Sequence, residues 1–328
     1  MSRHSWMLPT SGLVLALTLV ACGSAEDLAK NRVVRELPGV EVITGPIPPL
    51  YASTILGLRA PQGVGVTADA TRLYVAEGDG DRAVKVIDLV SREARESLAP
   101  PGTVAATRKP TSIFVGPNGV VYVVDRLRLA VDMYDPDGRW LGMLPDPPLT
   151  SGQWEPLGVS LNAEGEVYVV NGAPDGPLVA EYDANGVFVS TLGTMQDESG
   201  SFSFPAGVAT GTVEEQLYIA DSNNGRIVAI DAEGRIEDIY GNQGGQDAVA
   251  LPRGMYIDHR GYCYVTDATG HEVKVWDVSK GKAKYLFSFG QPGIADGEFL
   301  YPNAVAVDGE GRVYVADTGN DRVQIWAY

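Results

Sequence analysis

From about residue 40 to residue 328 the chain consists of short runs in which apolar and polar residues alternate, divided by Gly, Asp, Asn and Pro. The final run, YPNAVAVDGEGRVYVADTGNDRVQIW from Tyr301 to Trp326, holds three such stretches: AVAVD, RVYVAD and RVQIW. A period of two is that of a half-buried strand, and no helix is needed to account for any of it. The pattern predicts an all-β chain of short antiparallel strands joined by tight turns.

The runs are copies of one unit. A proline opens each, at Pro61, Pro110, Pro156, Pro205, Pro252 and Pro302, at intervals of 46 to 50 residues. Two positions on comes a small residue: Gly63, Ser112, Gly158, Gly207, Gly254 or Ala304. A second strand carries Tyr74, Tyr122, Tyr168, Tyr218, Tyr264 or Tyr314, and three residues beyond it stands Glu77, Asp125, Asn171, Asp221, Asp267 or Asp317. The third strand closes at Asp88, Asp135, Asp183, Asp231 or Asp277, with Ala327 in the sixth copy. Four short strands at this period make a propeller blade, and six copies predict a six-bladed β-propeller. The small residue after each proline fits first strands that converge on a central axis, where a larger side chain would crowd its neighbours. Turns such as DPDG, DANG and DAEG, beginning at Asp135, Asp183 and Asp231, connect third strands to fourth.

The sixth copy reaches Tyr328 just after its third strand and has no counterpart to AKYLFSFG of the fifth. VEVITG, Val40 to Gly45, stands before the first proline much as YLFSFG stands before Pro302. It is the expected closing strand, an N-terminal segment that completes the sixth blade and hides two open edges.

These units, above all the last one and FPAGVATGTVEEQLYIADSNNGRIVAID, resemble NHL repeats over about residues 40 to 328. The resemblance implies the same six-bladed ring and says little about function, because one fold hosts many. Copies two and three depart from it, with DRLRLAVDMYD and NGAPDGPLVAEYD lacking the Asn-x-Arg turn. A peptide-amidating lyase that resembles an NHL propeller holds zinc with histidines, and a zinc site takes three or four protein ligands. Beyond the first 22 residues this chain has only His259 and His271, which fall at opposite ends of one strand, roughly 17 Å apart. Calcium-dependent lactonases resemble six-bladed propellers with oxygen ligands at the axis. The series Glu77, Asp125, Asn171, Asp221, Asp267 and Asp317 could form such a ring, or could instead cap the neighbouring turns. Capping is the simpler reading, since the acid recurs in every copy, and no metal or other cofactor is assigned.

The first 21 residues read as an address. Arg3 precedes the apolar run SGLVLALTLVA, which is too short for a comfortable membrane span. Leu19-Val20-Ala21-Cys22 resembles the bacterial lipobox, so residues 1–21 are expected to be a signal peptide, Cys22 a lipidated N-terminus, and residues 22–39 a tether. Several acyl chains at about 0.8 kcal/mol per buried CH₂ make a stable anchor. The expected location is the cell envelope. Cys263, the other cysteine, has no intrachain partner once Cys22 carries lipid, and it falls in a strand pattern as a small buried hydrophobe.

The 328 residues carry 25 Lys and Arg against 42 Asp and Glu. Without residues 1–21, which contain one arginine and no acid, the balance is 24 against 42, a net charge of -18. Such a surface repels polyanions and argues against nucleic acid as a partner. No Gly-x-Ser-x-Gly, P-loop or HExxH motif is present. Function is therefore sought where the copies differ. The loops around the prolines and those after the second strands meet at one end of each blade. There Arg126, Arg128, Lys109, Trp154, Arg253, Tyr301 and Asn303 break the pattern, and arginine and aromatic residues are the types that carry interface energy. Together these features point to a lipid-anchored, non-enzymatic monomeric propeller that binds a protein, peptide or glycan. An ion-dependent hydrolase or lyase using the central channel is the alternative.

Overall fold

The computed structural model describes residues 46–149, 152–197, 200–212, 216–242 and 244–328. Cys22 and the segment Val40 to Gly45 lie outside them. Among the described residues the structure is all-β apart from three short 3₁₀ turns, and no helix is long and apolar enough to cross a membrane.

Six antiparallel blades follow one another along the chain. Their innermost strands are Pro61–Val66, Pro110–Val115, Pro156–Leu161, Pro205–Thr210, Pro252–Ile257 and Pro302–Val307, each beginning at its repeat proline. Proline is tolerated as a first strand residue because no ladder bond there needs its missing N–H. The innermost strand of each blade packs against that of the next, and blade 6 returns to blade 1, so the ring is closed. Blades 2 to 5 run outward through four consecutive strands. In blade 1 the outermost position is held by isolated bridges, Val84↔Leu98 and Ile87↔Ala94.

Blade 6 takes its outer strand from the N-terminal side, as expected, but from a later segment. Leu50–Ile55 pairs antiparallel with Arg322–Ala327, with Leu50 opposite Ala327 and Ile55 opposite Val323. The Tyr51 ring meets Trp326 edge-on, with centroids 6.1 Å apart. Val40 to Gly45, the segment expected to close the ring, lies outside the described residues, and among those described Leu50–Ile55 holds the outer position of blade 6. Pro46, Pro48 and Pro49 supply no ladder donors, and among the described residues the strand begins at Leu50.

The core lies between neighbouring blades. One cluster, for example, joins Leu157, Val170 and Leu178 of blade 3 to Val208, Leu217, Ile219 and Val228 of blade 4, at roughly 1.5–3 kcal/mol for each large aliphatic side chain removed from water. All six repeat tyrosines are buried. The Tyr314 hydroxyl donates to Asp308 Oδ2 at 3.0 Å, and that of Tyr218 to Gln216 Oε1 at 2.8 Å. The small residue after each proline has a steric cause in the ring. A Cβ on Gly207 would stand 2.3 Å from the Arg253 carbonyl oxygen of the next blade, and one on Gly63 would stand 2.6 Å from that of Thr111.

Candidate functional site

The recurring acids hold loops in place. Asp125 Oδ1 accepts backbone N–H groups from Lys109, Leu127 and Arg128. Asp267 accepts those of Ala250, Leu251 and Gly270. Asp317, fully buried, accepts the Leu300 N–H at 2.7 Å, Arg322 Nε at 2.7 Å and Gln324 Nε2 at 3.0 Å. Asp221 does the same with Ser203 N–H and Arg226 Nε. Asn171 and Glu77 accept the backbone N–H groups of Glu155 and Arg59. Each side chain thus ties the end of the second strand to the loop that leads into the proline. None of the six lines the axial cavity, and among the described residues no three His, Cys, Asp or Glu side chains converge as a metal site would need. The histidines also lie apart: His259 lines the cavity at one end of the axis, while His271 Nδ1 accepts the Tyr301 N–H in a loop at the other.

Two chambers lie on the axis. At the proline end is a cup of about 250 Å³, lined by the inner strands, with Gln62, Thr111, Ser112 and Asn303 beside the largely buried Val64, Ile113 and Met255. At the opposite end is a wider chamber of about 730 Å³ with Glu164, Asp258, His259 and Asp308 in its lining. Phe114 of blade 2 and Tyr256 of blade 5 line both. Their rings stack across the axis, centroids 5.9 Å apart and planes 16° apart, and so form the floor of the cup. Burial pushes the Tyr256 hydroxyl up to about 12, so it stays protonated in the physiological range.

The rim of the cup is cationic. Lys109, Arg126 and Arg253 line it, with no Asp or Glu among its residues. The guanidinium carbons of Arg126 and Arg253 lie 4.9 Å and 5.0 Å from the centroid of the Phe204 ring. Burial, with the charge of Arg126 as a second cause, lowers the Arg253 pKa from its usual value. Phe204, immediately before Pro205, has φ 54, and Tyr301 before Pro302 has φ 51. Both are left-handed conformations that large side chains rarely adopt and that a following proline restricts further. Strain of this kind persists only where the surroundings over-determine it.

The residues singled out from sequence are distributed unevenly about this rim. Arg126, Arg253 and Asn303 come together at the cup, and Asn303 Nδ2 donates to the Gln62 carbonyl at 2.6 Å across the seam between blades 6 and 1. Arg128 points away: it pairs with buried Asp132, and its Nη2 lies 3.1 Å from Met143 Sδ. Trp154 is half-buried against the core between blades 2 and 3. Tyr301 is exposed beside the cup, its ring 4.8 Å from that of His271. Phe204 escaped sequence reasoning. Its signal was positional, an aromatic at the last place before a repeat proline, where the other copies carry Ala60, Lys109, Glu155, Leu251 and Tyr301.

Residues 202–230 and 299–326 match the NHL repeat family. The chain is 25% identical over 291 residues to Protein SUPPRESSOR OF QUENCHING 1, chloroplastic, of Arabidopsis thaliana, covering 80% of this chain and 24% of that protein. It is 26% identical over 178 residues to NHL repeat-containing protein 3 of Mus musculus, covering 51% of this chain and 49% of that one. It therefore spans a quarter to a half of the length of these relatives. Among solved structures, a protein of unknown function from Bacteroides thetaiotaomicron superposes with a TM-score of 0.66 at 18% identity, covering 85% of this chain and 71% of that one. A streptogramin B lyase superposes with a TM-score of 0.58 at 14% identity, covering 84% and 96%. At these identities the structural likeness is one of fold. Together with the repeat match, it identifies the chain as an NHL-repeat six-bladed β-propeller.

Proposed function

We propose that this propeller is a non-catalytic binding module of the bacterial cell envelope, tethered through a lipidated Cys22, whose proline-side face engages an acidic part of a protein or peptide partner. The observation that carries this reading is the pair Arg126 and Arg253 over Phe204. Among the described residues neither guanidinium, nor the Lys109 ammonium, has an ion pair or a side-chain hydrogen bond, although the full chain is rich in acids. Several other arginines are paired with acids, as at Arg226 with Asp221 and Arg312 with Asp308. Cations clustered without counter-ions at the mouth of a cavity are complementary to an anionic partner and speed its encounter. The repeat match agrees with a role in recognition. The hydrolase or lyase alternative has less support, because the carboxylates that could ring the axis are committed to loop backbone.

The test is photo-cross-linking in intact cells from positions on the two faces, Tyr301 at the proline end and His259 at the other. Adducts from Tyr301 and not from His259, weakened in an Arg126→Ala/Arg253→Ala protein, are expected. Equal adducts from both positions, unaffected by the double substitution, would refute the assignment.

A further inference from the structure

We propose that the axial cup is a receptor for a carboxylate carried on a short apolar group, the chemistry presented by the C-terminal residue of a polypeptide. This rests on the partner-binding reading above and names the part of the partner that is recognised.

Three features of the cup lead there. Its polarity is layered, with the cations at the rim, the polar side chains of Gln62, Thr111, Ser112 and Asn303 on the wall, and the stacked pair Phe114 and Tyr256 at the floor. A ligand that fits rim and floor carries its charge at one end and an apolar group at the other, and it enters with the apolar group leading. An internal Asp or Glu fits poorly, because its side chain would carry the carboxylate down to the apolar floor. The cup is also blind. An internal segment needs a way in and a way out, whereas a chain terminus needs only one. Its volume of about 250 Å³ lies just under the roughly 300–1,000 Å³ of most small-molecule pockets, a size for one residue rather than a segment.

The third feature is the way the arginines are held. Each uses the face of its guanidinium on the Phe204 ring, an arrangement that leaves the N–H edges free. Those edges are the groups that make forked, charge-assisted bonds to a carboxylate. Without an anion, two like charges share one ring, and burial, with the charge of Arg126 second to it, holds the Arg253 pKa below its usual value. A bound carboxylate offsets those charges. Phe204 is therefore a positioning residue, and its left-handed backbone keeps the ring where both guanidiniums can rest on it.

The same chemistry is offered by a small free carboxylate, and calorimetry on the full mature protein separates the two sources. The probes are N-acetyl-leucine, N-acetyl-leucinamide, and an acetylated ten-residue peptide ending in leucine as the free acid or as the amide. Both acids are expected to bind and the amides to bind about ten-fold or more weakly, since loss of a charge-assisted pair costs at least that factor. Arg126→Ala and Arg253→Ala are each expected to weaken the acids by a similar factor, with the melting temperature showing that both variants fold. Arg139→Ala, on an exposed turn at the blade edge, should bind as wild type does. A peptide acid that binds more tightly than N-acetyl-leucine supports a chain terminus, and equal affinity supports a small carboxylate. Acids and amides of equal affinity, or no binding of either acid to folded wild-type protein, would overturn the inference. If proline-face cross-links persist while both acids fail to bind, the cup assignment falls and the partner-binding reading survives. If the acids bind without cross-links, the reverse holds.

Discussion

Arg126 and Arg128 stand two residues apart on one loop, and the structure gives them opposite consequences. Arg128 is paired with Asp132, and the two side chains are 20% and 2% exposed. Replacing Arg128 with alanine leaves the Asp132 carboxylate buried, with the Trp140 indole N–H at 3.0 Å as its remaining donor among the described residues. Breaking a fully buried pair by removing one partner costs about 3–5 kcal/mol, and the partial exposure of Arg128 reduces this to about 2–3 kcal/mol. At roughly 2–3 °C per kcal/mol for a domain of this size, the melting temperature should fall by about 4–9 °C. The loss should also depend on pH with a definite sign. Burial pushes the Asp132 pKa up even with Arg128 present, against the opposing effects of Trp140 and Arg128. An acid whose folded pKa is raised favours the folded state below its unfolded pKa of about 3.9 and loses that contribution as pH rises through the folded pKa. Removing Arg128 raises the folded pKa further, so the deficit of the variant should be widest at neutral pH and narrow towards pH 4, where Asp132 takes up a proton. Calorimetric melting of both proteins at pH 7.5, 5.5 and 4.5 measures it. A variant that melts with wild type, or a deficit that does not change with pH, would show that the pair does not hold the loop.

Deleting Leu50–Ile55 should lower the melting temperature sharply and produce oligomers in gel filtration, because it bares the outer edge of Arg322–Ala327; a monomer with unchanged melting would contradict the closure. Asp317→Ala should cost about 3–5 kcal/mol in denaturant unfolding, since it strands the buried Arg322 guanidinium, whereas Asp317→Asn should cost less because it keeps one acceptor. Cys263, fully buried with its thiol pushed up to about 12, should resist alkylation at pH 8 and react only in denaturant. Cys22→Ser should yield protein without acyl groups that is released from membranes, as read by mass spectrometry and fractionation.

The ring was readable from the chain because its causes are local and repeated six times. A proline that opens a strand, a small residue where the next blade's carbonyl leaves no room for a Cβ, and an acid that accepts the N–H groups of a neighbouring loop each leave a mark at the same place in every copy. The choice between Arg126 and Arg128 left no such mark. Asp125 Oδ1 accepts the N–H groups of both Leu127 and Arg128, and Leu129 takes φ 54. That turn sends one arginine to the axis and the other back to Asp132 on the blade, an outcome set by backbone direction rather than by residue type. Where Trp154 sits was equally illegible in the sequence, since its half-buried packing against the core between blades 2 and 3 depends on the neighbouring blades.

The pseudo-symmetry that makes the fold legible also explains where its chemistry sits. The place after each proline is held by Gln62, Thr111, Leu157, Ala206, Arg253 and Asn303, all six of them at the cup. The six positions are equivalent in backbone and unlike in side chain, so the ring fixes where a group points and the individual copy decides which group it is. Blades 2 and 5 are three apart in a ring of six and therefore face each other. They supply both Arg126 and Arg253 at the rim and both Phe114 and Tyr256 at the floor. Arg253, Phe114 and Tyr256 stand on the packed inner strands, and Arg126 on a loop whose backbone Asp125 holds. Such a rim keeps its like charges in place with no anion bound, and it spends little conformational entropy when one arrives.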